Sequence, residues 1–366
     1  MKKIMIAGAG KIGSAIAALL GATPDYDVTV VDASSEALAV LKAGLQVKRL
    51  VLDITDPLAL RAAVAGQFAV LSAAPFHLST PIAEAAVDAG VHYLDLTEDV
   101  ASTRRVKELA RTAQSALIPQ CGLAPGFVSI VAADLCRRFD SLHSVRMRVG
   151  ALPQFPSNAL NYNLTWSTDG VINEYCEPCE AIVEGVLRQV PPLAEHEEFS
   201  LDGVTYEAFN TSGGLGTLCE TLQGRVTHLN YKTIRYPGHA AIMKMLINDL
   251  RLRERRHVLK DLLENALPVT LQDVVIVFVT VSGQREGRLM QETYAHKVYS
   301  HVTGGVLRSA IQITTAAGIC AVLDLLAEGR LPQRGFVRQE EIALGDFLAN
   351  RFGSAYAEHA EVRVAA

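Results

Sequence analysis

The feature that most constrains this chain is a glycine-rich turn near its start. The segment GAGKIG (8–13) follows a short apolar run at 4–7 and opens an alanine- and leucine-rich stretch. G-x-G-x-x-G between a strand and a helix is typical of the turn that holds a dinucleotide pyrophosphate against helix N-terminal amides. Gly8 permits the tight turn, Gly10 lets the backbone approach the phosphates, and Gly13 lets helix and strand pack closely. We therefore expect the cofactor to be held by Gly8, Gly10, Lys11, Ile12 and Gly13.

The first third of the chain alternates apolar runs with helix-like stretches. The predicted strands are 4–7, 28–31, 49–52, 69–73, 93–96 and 116–119. The predicted helices are 14–20, 35–43, 57–64, 80–89 and 100–113. Alternation at this spacing predicts a parallel sheet wound by right-handed crossovers, and the glycine turn after the first strand makes it a Rossmann-type sheet.

The rhythm changes after residue 126. The predicted strands here are 145–152, 162–166, 208–210, 227–235 and 274–281, and the predicted helices are 238–250, 258–266, 306–327 and 340–351. Clustered strands with fewer helices favour antiparallel pairing. The predicted fold class is α/β: a Rossmann-type doubly wound parallel sheet plus an inserted α+β domain with a mixed, mainly antiparallel sheet. We expect an NAD-binding domain at 1–125, a substrate-binding and dimerisation domain at 126–305, and a helical segment at 306–366 that returns to the first domain.

Composition excludes several classes of function. A chain of 366 residues exceeds one ordinary core, so two domains are expected. The net charge of −5 and the lack of a basic stripe argue against nucleic acid or an anionic membrane as partner. The apolar run at 274–281 suits a buried strand and is too short to span a bilayer. The six cysteines are scattered, which suits a reducing cytosol, and we expect a cytoplasmic protein.

One cysteine pair has the spacing of a possible metal or redox site. Cys176 and Cys179 form a C-x-x-C, but the sequence contains no second such pair. His296 and His301 are five positions apart, which is a poor spacing for one face of a helix. We therefore expect no metal.

The cofactor is expected to be NAD. The second predicted strand ends at Asp32, whose carboxylate suits the ribose hydroxyls and repels a 2′-phosphate. Residues 33–41 contain no lysine or arginine to pair with such a phosphate. Asp53, after the third strand, suits either the adenine edge or the N-terminus of the next helix, and both readings stay open. Further cofactor contacts are expected from Ala33, Ile54, Ala73, Ala74, Pro75, Gly122 and Leu123.

Several segments resemble a known family. AAPFH (73–77), HYLDLT (92–97) and PQCGLAPG (119–126) resemble the saccharopine dehydrogenase (saccharopine reductase) superfamily. YNLTWSTDGVINEY (162–175) and YKTIRYPGH (231–239) are similar to its L-lysine 6-dehydrogenase branch, and the resemblance runs from residue 1 to about 329. It implies a homodimer that oxidatively deaminates the ε-amine of L-lysine with NAD. Ammonia and allysine, which cyclises to a piperideine carboxylate, would be the products.

Two alternatives remain open. One is a saccharopine- or carboxynorspermidine-type dehydrogenase acting on a secondary amine, which would need more cations than Arg235, recruited from Lys232, Lys244 and Arg225. The other is a sensor that binds NAD without turnover.

Oxidation of an amine needs a base to neutralise it, acids near the developing cation and a clamp for the distant carboxylate. Asp95 and Glu98, at the end of the fifth strand, suit the amine, although Glu98 also fits a helix cap. Cys121 lies in the turn expected beneath the nicotinamide, where packing is an equal alternative. His239 is a candidate proton relay.

The substrate itself is expected to meet residues of the second domain. Arg235 suits a carboxylate because its guanidinium is a rigid fork, with a bridge between strands as the alternative. Trp166 is expected to wall the aliphatic stem, or else to lie in the core. The remaining candidates for polar contacts with the substrate are Asn173, Glu174, Thr211 and Thr315.

Overall fold

Two sheets organise the chain in the computed structural model, which describes residues 1–41, 45–303 and 305–357. The first sheet begins with six parallel strands: β1 (Lys2–Ala7), β2 (Tyr26–Asp32), β3 (Val47–Val51), β4 (Ala69–Ser72), β5 (His92–Asp95) and β6 (Ala116–Ile118). Their order is β3-β2-β1-β4-β5-β6, so the order reverses between β1 and β4. In such sheets, ligands bind outside the carboxyl ends of the strands at this switch point.

Five helices connect these strands: α1 (Lys11–Gly21), α2 (Ser35–Ala39), α3 (Pro57–Val64), α4 (Ser79–Asp88) and α5 (Val100–Leu109). Side-chain caps set three of their starts. Ser34 caps α2, Asp56 caps α3 with Pro57 in its first turn, and Asp99 caps α5. The strand and helix positions of this unit therefore follow local sequence signals closely.

The second sheet is mixed. Its strands are β7 (Ser141–Pro153), β8 (Cys179–Val183), β9 (Val186–Val190), β10 (Glu197–Leu201), β11 (Val204–Asn210), β12 (Val226–Arg235), β13 (Asp273–Arg285) and β14 (Arg288–Tyr299). The order is β10-β11-β12-β7-β13-β14, with β8 paired to β12 and β9. Only the β7–β12 pair among the described strands of this sheet is parallel, with Leu229 opposite Val145. Helices α6 (Phe127–Cys136), α7 (Thr168–Cys176), α8 (Leu218–Leu222), α9 (His239–Lys244) and α10 (Arg256–Ala266) accompany it.

The last part of the chain returns to the first sheet. It contains β15 (His301–Thr303), β16 (Val306–Arg308), α11 (Ala310–Ala327), β17 (Gly335–Phe336) and α12 (Leu344–Ala349). β17 adds to the first sheet beside β6, in parallel. α11 packs against both α1 and β13, so one buried core includes Ile6 from the first sheet and Val277 from the second. The predicted fold class is confirmed; the boundaries at residues 125 and 305 stay predictions.

α11 is also the one helix among the described residues whose length and composition would let it cross a membrane. However, 89% of it is buried inside the protein. The helix is apolar because it packs against α1 of the first sheet's domain on one side and against β13 of the second sheet on the other.

Several sequence-based elements were wrong or incomplete. The segment 162–166 is not a strand: only Leu164 makes an isolated bridge, to Val269. The stretch 306–327 begins as β16, and its helix starts only at Ala310, where Ser309 and Gln312 form a capping box. The stretch 238–250 is α9 followed by a π-helical turn at Met245–Asp249. The stretch 340–351 divides between a short 3-10 turn and α12. Parts of two predicted segments, 42–43 and 358–366, lie outside the described residues.

Other elements were missed. The sequence analysis contained no α6, α7 or α8, and no β8, β9, β10 or β14. β14 (RLMQETYAHKVY) lies at an edge of the second sheet and is largely exposed, so neither of its faces is consistently apolar and the alternation that marks a strand is weak. α7 directly follows the segment 162–166, which was predicted as a strand, and no element was predicted at its own residues.

Candidate active site

A cavity of about 1170 Å³ lies where the carboxyl ends of the first sheet face the second unit. One end is lined by the glycine turn and Asp32, and the other by residues of α7, β12 and α11. A cavity of this size, lined largely by apolar groups with a few convergent polar ones, is the usual form of a cofactor and substrate site.

The glycine turn has the geometry that close approach of a phosphate requires. Gly8 has φ +105°, and a Cβ there would lie 2.7 Å from the carbonyl oxygen of Ala73. A Cβ on Gly13 would lie 1.9 Å from the carbonyl oxygen of Gly8, so α1 and β1 can pack only with glycine. Gly10 has no atom within 4 Å of its Cβ position and no side-chain bond caps α1, which leaves the helix N-terminal amides available. These residues fit a dinucleotide pyrophosphate.

Asp32 is held in place by the backbone. Its Oδ2 accepts a hydrogen bond from Ala9 N at 2.7 Å, and its Oδ1 accepts one from Ser34 N at 2.9 Å. Each carboxylate oxygen has capacity for a second bond, and Asp32 lines the cavity. The carboxylate is therefore oriented and able to accept from ribose hydroxyls.

Most of the predicted cofactor residues border this cavity: Gly8, Gly10, Lys11, Ile12, Asp32, Ala73, Ala74, Pro75, Gly122 and Leu123. Ala33, Asp53 and Ile54 do not line it, which corrects their expected position. The exposed Asp53 carboxylate accepts hydrogen bonds from the Thr55 hydroxyl and amide, which lower its pKa. Asp56, not Asp53, caps α3, and Ile54 lies in the core of the first unit. Gly13 lies beneath the turn rather than on the cavity wall.

Asp95 supports the site from behind rather than lining it. It is fully buried and accepts hydrogen bonds from Thr97 N, Gln120 N and the Tyr93 hydroxyl. Burial raises its pKa to about 6, against the lowering effect of these bonds. Gln120 has φ 64°, so Asp95 holds a left-handed residue at the start of the turn at 120–126. The expectation that Asp95 touches the amine was therefore wrong.

Cys121 is likewise a packing residue. Its thiol donates to the carbonyl oxygen of Ile118 at 3.0 Å and accepts from Gln339 Nε2 at 3.3 Å. Burial raises its pKa, which keeps it a neutral thiol. A Cβ on Gly318 of α11 would lie 2.6 Å from the Cys121 carbonyl oxygen, so this helix closely backs the turn. A reactive role for Cys121 is not compatible with this burial.

Two glutamates from different units share the cavity. Glu98 follows β5, and Glu174 lies on α7. Burial raises the pKa of Glu174 to about 8, helped by the charge of Glu98 and opposed by Arg235. Burial also raises the pKa of Glu98, with Asp99 and Asp95 adding to the effect. The cavity therefore holds a carboxyl whose pKa lies near neutrality, as a general base requires.

Arg235 is a buried cation at the end of β12. It is 2% exposed and lines the cavity. Nε donates to the Tyr175 hydroxyl at 2.9 Å, and Nη1 donates to the Thr233 hydroxyl and the Ile234 carbonyl, both at 2.8 Å. All of these partners are neutral. The guanidinium also lies over the Tyr162 ring, 5.1 Å from its centroid.

His239 lies behind Arg235, not in the cavity. Its Nδ1 is 3.0 Å from the Leu160 carbonyl oxygen and its Nε2 is 3.0 Å from the Tyr175 hydroxyl. Burial and, to a smaller extent, the charge of the nearby Arg235 together lower its pKa to about 3. His239 is therefore neutral and cannot exchange protons with a substrate directly, so its predicted role as a relay was wrong.

Of the predicted substrate residues, Trp166, Asn173, Glu174, Arg235 and Thr315 line the cavity. Trp166 lies against the first turn of α7, where a Cβ on Gly170 would be 2.3 Å from its ring. Asn173 Oδ1 accepts from Arg256 Nη1 at 3.4 Å. Thr211 is buried beside a separate pocket near α5, with no partner for its hydroxyl, so its expected position was wrong.

Both parts of the chain match models of one family. Residues 4–122 match a model described as the saccharopine dehydrogenase NADP binding domain, and residues 122–352 match the saccharopine dehydrogenase C-terminal domain. The chain belongs to the saccharopine dehydrogenase family. It is therefore an NAD(P)-binding oxidoreductase, which confirms the resemblance at the level of the family.

Solved structures agree with this fold. A saccharopine dehydrogenase (L-Glu forming) from Saccharomyces cerevisiae, in its apo form, matches with a TM-score of 0.78 and 16% identity, covering 95% of this chain and 97% of that one. A homospermidine synthase from Legionella pneumophila in complex with NAD matches with a TM-score of 0.68 and 14% identity, covering 98% and 90%. At these identities the matches show the saccharopine dehydrogenase fold.

The cavity residues that the sequence analysis missed include Tyr231, Thr233, Arg256 and Gln312. The Tyr231 ring packs directly on Gly214, where a Cβ would lie 2.3 Å from the ring, so the position at 214 has room only for glycine. Tyr231 and Thr233 both lie in the segment 231–239, where alternation along β12 could have placed them on the same face as Arg235. Arg256 and Gln312 had no comparable signal.

Proposed function

We propose that the protein is an NAD-dependent dehydrogenase that oxidises the ε-amine of L-lysine. The products would be ammonia and allysine, which cyclises to piperideine-6-carboxylate. The observation that carries the proposal is the charge arrangement beyond the glycine turn: the buried carboxyl of Glu174 and the half-buried carboxyl of Glu98 lie in the same cavity as the buried cation Arg235.

Arg235 suits a substrate that bears a carboxylate. Its guanidinium stays charged at all working pH values, and its hydrogen-bond partners are all neutral. A buried charge without an ionised partner is costly, and a substrate carboxylate would neutralise it. Nη2 makes no hydrogen bond to a described residue and is not among the fully buried unpartnered atoms, so it is open to the cavity.

Glu98 and Glu174 suit the amine. Substrate binds as an ammonium, and a carboxylate near it both attracts the cation and accepts its proton. With a pKa of about 8, Glu174 is a stronger base than an ordinary carboxyl. Burial, together with the charge of Glu98, keeps its pKa at that level. The ε-amine and the carboxylate lie at opposite ends of lysine. The amine would therefore contact Glu98 and Glu174, and the carboxylate would contact Arg235.

A bound nicotinamide would supply the acceptor for the hydride that leaves the ε-carbon. The ionised Glu174 first removes a proton from the ε-ammonium, which leaves the neutral amine that can lose hydride. The Glu98 carboxylate then stabilises the positive charge that develops on nitrogen, because Glu174 now carries the amine proton. Water adds to the resulting iminium carbon and loses a proton to solvent, which gives a carbinolamine. Glu174 returns its proton to the carbinolamine nitrogen, and the C–N bond breaks as the hydroxyl loses its proton, which releases ammonia and the aldehyde.

A secondary-amine substrate such as saccharopine is less well supported. It carries more carboxylates than lysine, but the cations that would have to be recruited lie elsewhere. Lys232 donates to the Glu195 carbonyl oxygen and pairs with Glu197, and neither Lys244 nor Arg225 lines the cavity. Arg256 lines it but is paired with Glu177. A sensor without turnover would have no use for a carboxyl with a pKa near neutrality in the cavity.

The choice of NAD rests on Asp32, since its carboxylate disfavours a 2′-phosphate. A small amino acid as partner, neither nucleic acid nor membrane, agrees with the acidic net charge. We also propose a homodimer, which the family resemblance implies, and a cytoplasmic location, which the scattered cysteines favour.

Isotope labelling tests the proposal directly. The purified protein is incubated with NAD and lysine deuterated at C6 or at C2, and the reduced cofactor is followed by absorbance and mass. We expect turnover with lysine, and deuterium in the reduced cofactor only from the C6-labelled substrate. Transfer from C2 would show α-amine oxidation and contradict the proposal. Turnover with saccharopine or a polyamine but not with lysine would favour the secondary-amine alternative.

A further inference from the structure

A chain of hydrogen bonds runs behind Arg235, away from the cavity. Arg235 Nε lies 2.9 Å from the Tyr175 hydroxyl, which lies 3.0 Å from His239 Nε2, and His239 Nδ1 lies 3.0 Å from the Leu160 carbonyl oxygen. The members come from β12, α7, α9 and the loop before α7. Arg235, Tyr175 and His239 are each almost fully buried.

The chemistry of the members sets the direction of every bond. A guanidinium only donates, so the Tyr175 oxygen accepts from Arg235 and its proton points to His239. A carbonyl oxygen only accepts, so His239 carries its proton on Nδ1 and presents Nε2 as the acceptor for Tyr175. The chain is therefore fully satisfied in one arrangement, and it requires a neutral histidine. The lowered pKa of His239 meets that requirement.

His239 is itself fixed from both sides along the backbone. The buried carboxylate of Glu207 accepts hydrogen bonds from Gly238 N at 3.0 Å and from Ala240 N at 2.6 Å, the residues that flank it. His196 Nε2 lies 3.0 Å from the same carboxylate. The start of α9 is thus attached to β11, so the ring of His239 is a firm anchor for the Tyr175 hydroxyl.

These contacts leave the guanidinium little freedom. Nε is bound to Tyr175, and Nη1 is bound to Thr233 and Ile234, while Thr233 donates onward to the Val149 carbonyl oxygen. Two of the three nitrogens are therefore committed to the protein, and Nη2 is the one open to the cavity.

We infer that Tyr175 and His239 are positioning residues that hold the Arg235 guanidinium with Nη2 facing the carboxylate of the substrate. This inference rests on the proposed function for the presence of that carboxylate. Neither residue touches substrate. They strengthen binding of the substrate carboxylate through Arg235, because an arginine side chain that is already held in place loses less conformational entropy when it binds a ligand.

The test uses ligands that separate the two ends of the substrate. Hexanoate carries only a carboxylate and hexylamine only an amine, and Trp166, the single tryptophan, lines the cavity and reports their binding by fluorescence. Tyr175→Phe removes the bridging hydroxyl at constant shape. We expect it to weaken hexanoate binding about tenfold, as for a lost hydrogen bond to a charged group, and to leave hexylamine binding unchanged.

Tyr236→Phe is the matched control. It also removes one tyrosine hydroxyl, which donates to the Pro153 carbonyl oxygen at 2.9 Å, from a residue adjacent to Arg235. We expect it to leave binding of both ligands unchanged. The thermal midpoints of both variants show whether a change in binding accompanies general loss of structure.

His239 is tested by two substitutions and a double variant. His239→Leu removes the acceptor and should weaken hexanoate binding, whereas His239→Gln retains an amide oxygen as acceptor and should weaken it less. If Tyr175 and His239 act as one unit, Tyr175→Phe combined with His239→Leu costs no more than either change alone. Additive losses, or an equal loss for hexanoate and hexylamine, would overturn the inference. If the expected pattern appears in a protein that does not oxidise lysine, the inference survives and the proposed function fails.

Discussion

Glu174→Gln is the change that most directly tests the proposed chemistry. The substitution keeps the size and polarity of the side chain but removes the proton that the carboxyl gains and loses. In the folded protein, burial and Glu98 raise the pKa of Glu174 from 4.5 to about 8. A neutral amide cannot accept the substrate proton, so kcat should fall by about 10²–10⁴-fold. The limb of the wild-type kcat/KM profile that rises towards pH 8 should disappear.

The same raised pKa predicts an effect on stability, with a definite sign. Between pH 4.5 and 8 the folded protein keeps a proton on Glu174 that the unfolded chain releases, so stability falls as pH rises. A pKa difference of one unit corresponds to about 1.4 kcal/mol. From pH 6 to pH 8 the wild-type free energy of unfolding should therefore lose about 2 kcal/mol through this group. The glutamine variant lacks that loss, so its stability relative to wild type rises across this range.

The assay compares urea unfolding of variant and wild type at pH 6 and pH 8, with kcat/KM measured over the same range. Glu198→Gln, an exposed glutamate on β10, is the control and should change neither quantity. The reasoning is refuted if the stability difference between Glu174→Gln and wild type is the same at both pH values. It is also refuted if the variant keeps the rising limb of the wild-type profile.

Four further changes test the rest of the site. Asp32→Ser should raise the KM for NAD about tenfold and lower the ratio of kcat/KM with NAD to kcat/KM with NADP. If that ratio stays at its wild-type value, Asp32 does not contact the ribose. Gly13→Ala places a Cβ 1.9 Å from the Gly8 carbonyl oxygen, so calorimetry should show a loss of more than about 4 kcal/mol or no folded protein; a wild-type midpoint would contradict this. Cys121→Ala should keep kcat within about twofold and cost about 1 kcal/mol, whereas loss of activity in a stable variant would restore a chemical role for the thiol. In Arg235→Lys the new side chain cannot form the hydrogen bonds that Nε and Nη1 make, so kcat/KM for lysine should fall at least about 100-fold. Hexylamine binding should stay at the wild-type level, and an equal loss for lysine and hexylamine would show that Arg235 does not bind the substrate carboxylate.

The nucleotide half of the site was predictable because its determinants are close together in the sequence. The glycine turn, the strand before it and the helix after it form one continuous segment, and Asp32 follows at the end of the next strand. Residues near one another in the chain come together largely independently of the rest of the protein, so the glycine turn and the parallel sheet could be predicted from spacing alone. The caps at Ser34, Asp56 and Asp99 are equally local.

The substrate half depended on contacts between distant parts of the chain. Asp95, Cys121 and His239 have the right chemistry for catalysis, and their sequence neighbours do not reveal that all three are buried away from the cavity. Glu174 was only one of several polar candidates, and it became the candidate base because burial and Glu98, from the other unit, raise its pKa.

The sequence by itself therefore determined the cofactor turn, the parallel sheet and the family resemblance, because these depend on local spacing and residue type. Only the tertiary structure decided which titratable side chains face the cavity and which support it from behind. The physical reason is that burial and charge proximity, which set a pKa and expose or hide a side chain, are properties of the packed molecule. Arg235 shows both: its chemistry could be read from the segment 231–239, whereas its anchorage by Tyr175 and His239 required the folded chain.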